Sequence, residues 1–254
     1  MESLLTYNIL LIVEGENTEV DLFKKVGGLF LANGKEFKFF SYNTNMYKLY
    51  LQLKKDGGFT DIIGVLKEKA PKSCDNSVLN NNFSEIYLIF DSDFQDNNYS
   101  DYKIKKMVDF FDDEYEKGKL YVNYPMIESY RHHDNFNLNK YLFNEVEMDG
   151  LTSESYKKLV DTYGSRKSLN SYNVTTFNRL QYINLYKAEF LVKGNKRFPT
   201  YKEYINELTQ NAILTKELEL KKSGFVSPLN TSLFLLINIL GEKYYKKIKD
   251  VKLY

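Results

Sequence analysis

Ile9-Leu10-Leu11-Ile12-Val13-Glu14-Gly15-Glu16-Asn17-Thr18-Glu19 is the stretch on which the reading of the fold turns. Five consecutive apolar residues predict a strand buried on both faces, as in a parallel sheet. The run stops at an acid and a glycine, and Val20, Phe23, Val26 and Phe30 then recur at helical spacing. Open α/β sheets place ligand groups at the carboxyl edge of their strands, so Glu14 stands where a functional carboxylate is expected.

The pattern repeats outward from there. Glu36 to Tyr42 is aromatic-rich and predicts a strand. Asn45 to Lys55 predicts a short helix ended by Asp56-Gly57-Gly58, and Ile62 to Lys69 another, whereas Pro71 to Phe83 is polar and predicts a loop. Glu85-Ile86-Tyr87-Leu88-Ile89-Phe90-Asp91-Ser92-Asp93 is a second buried strand ending in acids. Tyr102 to Lys117 carries Ile104, Met107, Val108, Phe111 and Tyr115 as an amphipathic helix closed by Gly118. Leu120 to Tyr124 is a third core strand, stopped by Pro125, and Met126 to His132 opens a helix with Glu128 in its first turn.

Strands alternating with helices predict an α/β fold with a mostly parallel sheet and right-handed crossovers. Beyond about residue 135 helical periodicity takes over, in Ser153 to Tyr163, Thr176 to Leu191, Tyr201 to Leu220 and Ser232 to Ile248, with breaks at Pro199 and Pro228. The expected organisation is a sheet domain over 1–135 and a mainly helical region over 136–254.

Charge divides along the same lines. Residues 1–150 hold 17 Lys+Arg against 25 Asp+Glu, and residues 151–254 hold 18 against 9. An acidic part joined to a basic part fits a metal-holding domain beside a polyanion-binding one, although solvated faces without a ligand explain the charges as well. Cys74 is the one cysteine, which excludes an internal disulfide and a cysteine zinc site and fits a reducing cytosol. No apolar run has the length of a membrane span and no signal pattern opens the chain. A cytoplasmic protein with no membrane partner is the expectation.

Three core strands hand the chain to acids: Glu14, then Asp91 and Asp93, then Glu128. If the strands are parallel their carboxyl edges adjoin and the carboxylates converge. Hard oxygen donors without cysteine are the donor set of Mg²⁺ or Mn²⁺. Alternate residues of an extended segment share a face, so Asp91 and Asp93 are expected to point together. Taken singly, each acid reads better as a cap or a helix-start residue. Their shared placement is what favours a site. His132 and His133, beside Arg131, suit phosphate contact or proton transfer, but a solvated helix end is the preferred reading.

The segments VEGENTEV (Val13 to Val20) and IYLIFDSD (Ile86 to Asp93) resemble a toprim domain, shared by topoisomerases, primases and the overcoming-lysogenization-defect and RloB-like nucleases. NYPMIES (Asn123 to Ser129) resembles a third element of RloB-like and PARIS-type defence effectors. The resemblance spans roughly the first half of the chain in three pieces. It implies a toprim-like catalytic domain with Glu14 as acid/base or metal ligand and Asp91 and Asp93 as metal ligands. Glu19, where many members have Asp, and Glu128 would be auxiliary ligands. Implied with it are a Mg²⁺-dependent nuclease acting on RNA such as tRNA or on DNA, a role in anti-phage defence, and an ABC- or SMC-like ATPase partner. A homo-oligomer is compatible. Arg131, His132, Lys157, Lys158, Arg166 and Lys167 are the expected nucleic-acid contacts. The rival readings are a non-catalytic binding or sensor module and another Mg²⁺-dependent phosphoryl-transfer enzyme.

Overall fold

The computed structural model describes residues 7–32, 34–55, 61–69 and 75–253. Asn33, Asp56-Gly57-Gly58, Pro71 and Cys74 therefore lie outside the described residues. The chain forms two compact units, 1–91 with 96–121 and 92–95 with 122–254. The division comes earlier than residue 135, and a four-residue segment after the second core strand belongs to the later unit.

The first unit opens with β1 (Tyr7–Val13), whose residues Ile9 to Val13 are fully buried. Burying such side chains stabilises the fold by roughly 1.5–3 kcal/mol each, and this double-sided burial is what the unbroken apolar run encodes. Next come α1 (Thr18–Phe30), β2 (Lys35–Ser41), α2 (Met46–Lys55) and α3 (Ile62–Lys69). A 3₁₀ turn at Asn76–Asn80 precedes β3 (Glu85–Asp91). The unit closes with α4 (Asp101–Phe110), β4 (Asp112–Asp113) and β5 (Gly118–Asn123), whose last two residues pass into the second unit. The sheet order is β2-β1-β3-β5-β4. β1 runs parallel to both β2 and β3, with Val13 level with Ser41 and with Ile89. The result is the expected α/β fold with a mostly parallel sheet flanked by helices.

One helix is shorter than its periodicity predicts. α4 ends at Phe110, and the chain turns into an antiparallel β4–β5 hairpin instead of continuing to Lys117. The carboxylate of Asp113 accepts the amides of Tyr115 and Glu116, a local turn that competes with helical bonding. Gly118, with φ +95°, starts the return strand; a Cβ there would lie 2.7 Å from Leu88 Cδ1.

The second unit is mainly helical. It comprises a 3₁₀ turn at Ile127–Arg131, α5 (Leu138–Leu142), β6 (Val146–Glu147), α6 (Ser153–Tyr163) and α7 (Val174–Lys193). These are followed by α8 (Tyr201–Glu207), α9 (Gln210–Lys222), β7 (Phe225–Val226) and α10 (Leu235–Lys249). The segment expected to open a helix at Met126 makes only a 3₁₀ turn. The pattern over Tyr201 to Leu220 divides into two helices because Thr209 caps the second, its hydroxyl accepting the Ala212 amide at 3.2 Å. α10 is kinked at Gly241, whose φ is 71°. β6 and β7 pair as a small antiparallel sheet that the sequence pattern did not reveal.

α7 is the core of this unit, and it buries polar as well as apolar residues. Gln181 donates to the Tyr244 hydroxyl at 2.6 Å, and the Asn184 carbonyl accepts both Tyr141 OH and the Asn230 amide at 2.8 Å. Hydrogen bonds made inside the unit offset the cost of burying these groups, although Gln181 Oε1 is left without a partner. Among the described residues, no helix is long and apolar enough to cross a membrane.

Candidate carboxylate site

The parallel pairing of β1 with β3 brings their carboxyl ends to one edge. Glu14 follows β1 directly and Asp91 is the last residue of β3. Glu14 Oε2 accepts the backbone amide of Asp91 at 3.3 Å, so the tip of one strand holds the side chain at the tip of the other. Asp91 is buried and Glu14 half-buried.

Glu19, one residue into α1, belongs to the same edge. Its side chain folds back over the strand-to-helix turn, and a Cβ on Gly15 would lie 3.2 Å from Glu19 Oε2. Gly15 thus leaves room that the Glu19 carboxylate takes. Glu19 is itself buried. The first unit therefore brings Glu14 and Glu19 to one turn and ties Glu14 to the backbone of Asp91. Among the described residues, no three His, Cys, Asp or Glu side chains form a ready-made metal cage. Carboxylate oxygens are nonetheless the donors that a hard cation takes.

The remaining candidates lie in the second unit. Ser92 is fixed by its amide to Asn123 O at 2.9 Å and by its hydroxyl to Pro125 O at 3.0 Å. Asp93 has φ 41°, outside the extended region. Because φ sets where a residue's own Cβ points, the every-second-residue rule expected for Asp91 and Asp93 does not extend to Asp93. A non-glycine residue held at positive φ is uncommon and is often found at functional sites.

Glu128 is buried, with Oε1 3.3 Å from Lys157 Nζ and Oε2 without a hydrogen-bond partner. A buried carboxylate oxygen without a partner is costly, and the Lys157 ammonium at the other oxygen offsets part of that cost. Ser129 Oγ and Asn123 Nδ2 are likewise buried and unpartnered.

The expected nucleic-acid residues fall into distinct environments. Arg131 pairs with Asp161 at 2.9 Å, and Lys158 with Glu154 at 2.7 Å on the exposed face of α6. Arg166 donates to the carbonyls of Asp161 and Thr162 at the end of α6, and Lys167 is exposed. His132 and His133 are not on a solvated helix end: both are buried. His132 Nδ1 is 3.0 Å from Tyr156 OH, and the His133 ring stacks on Phe136 at 4.3 Å. Burial, with Lys187 near His132 and Lys167 near His133, pushes both rings down to about 4, so both are neutral at pH 7.

A buried lysine and a buried glutamate that act on each other electrostatically escaped the sequence reading. Lys187 on α7 donates to Asn144 O at 2.8 Å and sits 4.6 Å over the Tyr141 ring. Glu217 on α9 accepts the Ser227 amide at 3.0 Å. Burial lowers the Lys187 pKa and raises that of Glu217, while each partly offsets the other. Nothing local in the sequence marks this pair, because 30 residues separate its members.

No family model, curated protein or solved structure matches this chain.

Proposed function

We propose that this chain is a toprim-like, metal-dependent nuclease of the cytoplasm. The observation that carries the reading is the hydrogen bond joining the tips of two adjacent parallel strands, Glu14 and Asp91, with Glu19 folded over Gly15 beside them. Glu14, Glu19 and Asp91 would hold Mg²⁺ or Mn²⁺, and the resemblance adds Asp93 and Glu128 to the donor set. When bound, such an ion lowers the pKa of a water and stabilises charge on a phosphoryl oxygen.

The chain's own residues have separate tasks in this reading. The Asp91 amide fixes the orientation of Glu14, which accepts the proton of the attacking water. Gly15 keeps the turn open, so Glu19 can stay close to the backbone. The exposed cations of the second unit, Lys158 and Lys167 among them, neutralise backbone phosphates, and binding weakens as salt rises. The motifs VEGENTEV and IYLIFDSD support the assignment to nucleic-acid phosphodiesters, and by the same resemblance the setting is anti-phage defence with an ATPase partner.

The test is cleavage of tRNA and of single- and double-stranded DNA by the purified protein in Mg²⁺ or Mn²⁺, with Glu14→Ala and Asp91→Ala in parallel. Metal-dependent cleavage that both substitutions abolish supports the proposal. Full cleavage by both variants removes it, and nucleic-acid binding without cleavage in any metal favours a binding module instead.

A further inference from the structure

The second unit contains a groove of about 790 Å³ that the carboxylate site does not use. One side is the extended segment around β6, where Glu145, Glu147 and Asp149 recur at every second residue and all line the groove. The ladder persists beyond Glu147, since the Met148 amide donates to Gly224 O at 2.8 Å. β6 itself is only Val146–Glu147, so the extended backbone sets Glu145 and Glu147 on either side of buried Val146, and Asp149 follows in the turn that Leu151 N closes on Met148 O. Another side is α6, which contributes Ser155, Leu159 and Tyr163 at successive i, i+4 positions. The neighbouring stripe of α6, Tyr156 and Val160, is buried.

Electrostatics narrows the occupant. Lys140 is the one base lining the groove, and Asp134 takes it up at 2.5 Å. Glu145, Glu147 and Asp149 are left with no ion pair among the described residues. The lining histidines are neutral, so the groove holds an excess of negative charge that repels phosphate. Nucleic acid does not belong here. Tyr163, 69% exposed, places an aromatic face in the same groove, and Phe143 lines it too, with Lys196 Nζ 4.8 Å from its ring centroid. His133 adds a neutral donor: its Nδ1 accepts the Phe136 amide at 3.2 Å, which leaves the proton on Nε2, a buried atom without a partner.

We infer that this groove binds an extended basic segment of a protein partner, in which arginine or lysine alternates with apolar residues. An extended chain advances about 6.6 Å per two residues, the repeat at which Glu145 and Glu147 recur, with Asp149 at the turn beyond them. Arginine pairs with carboxylates while stacking on aromatic faces, and Tyr163 offers such a face. The intervening apolar side chains cover Leu151 and Leu159. A peptide also brings carbonyl oxygens, the complement of the His133 donor. A linear polyamine matches the charge alone.

Fluorescence anisotropy with a labelled, end-blocked peptide alternating arginine and leucine tests this on the full chain. The triple variant Glu145→Gln, Glu147→Gln, Asp149→Asn changes only exposed side chains and should melt like the parent. Its binding should fall by about tenfold or more, whereas the distant Glu219→Gln should bind as the parent does. A peptide alternating glutamate and leucine should not bind, and spermidine should displace the arginine peptide far less well than unlabelled peptide. The inference is overturned if the arginine peptide fails to bind at millimolar concentration or if the triple variant binds as tightly as the parent. Spermidine competing on equal terms with the peptide overturns it too.

Discussion

Glu14 Oε2 accepts the amide of Asp91 across 3.3 Å, which ties the side chain at the end of β1 to the backbone at the end of β3. Only parallel neighbours place both ends at one edge. The bond holds the Glu14 carboxylate over the edge, and a hydrogen bond to an ionised acceptor is stronger than a neutral one. The predictions that follow concern this edge and the buried groups of the second unit.

Replacing Glu14 by Gln keeps an oxygen for the Asp91 amide and removes the charge. Folding stability should change by less than about 1 kcal/mol in urea titrations. Metal-dependent cleavage should fall by about 10³-fold. Equal losses of stability and activity would point to a structural carboxylate.

Gly15→Ala puts a methyl group 3.2 Å from the resting position of Glu19 Oε2. The Glu19 carboxylate must yield by a few tenths of an ångström. Stability should drop by no more than about 1 kcal/mol, while cleavage should weaken by about tenfold, and Glu19→Gln should lessen the effect of adding the methyl. Additive losses in the double variant would show that Gly15 does not act through Glu19.

Acid should weaken the second unit through its histidines. His132 and His133 titrate at about 4 when folded, below the ordinary value of 6.5, chiefly because they are buried. A depressed folded pKa means the unfolded chain takes up protons first as pH falls. The stability from neutral burial is thus complete above about pH 6.5 and is lost between there and about pH 4, by up to about 3 kcal/mol per ring. His133→Phe retains a ring to stack on Phe136 and removes one titration. Chemical denaturation at pH 7 and pH 5 should show a smaller difference for the variant than for the parent.

Glu203 gathers two cations and a cap. It accepts from Arg197 at 2.8 Å, from Lys193 at 2.9 Å and from the Thr200 amide at 2.7 Å, and these bonds hold its carboxyl well below the usual range. Glu203→Ala breaks the capping box of α8 and should cost about 1–2 kcal/mol at pH 7. The cost should shrink in acid, because the parent loses this contribution as the carboxyl is protonated. Thermal melts at both pH values measure it.

The parts of this fold that were legible are those whose signal is local. Ile9 to Val13 are apolar on both faces, and Ser153 to Tyr163 carry their own cap and period, and both elements form where the pattern places them. Phe111 and Tyr115 kept the helical spacing of α4 but lost to the Asp113 turn, a side-chain bond that periodicity does not register. Leu208 and Thr209 likewise hid a cap inside a continuous pattern. The carboxylate edge was readable as strand ends followed by acids. The burial of His132 was not, since Tyr156 lies 24 residues further on and only the tertiary fold brings it near. Lys187 and Glu217 were invisible for the same reason.

The account turns on whether the Glu14 edge takes a divalent cation. A crystal of the protein soaked in Mn²⁺, with anomalous scattering recorded, tests it most directly. The account predicts one or two manganese peaks in contact with the Glu14 and Asp91 carboxylates, absent from the Glu14→Gln protein. Manganese bound elsewhere and no peak at this edge would contradict it.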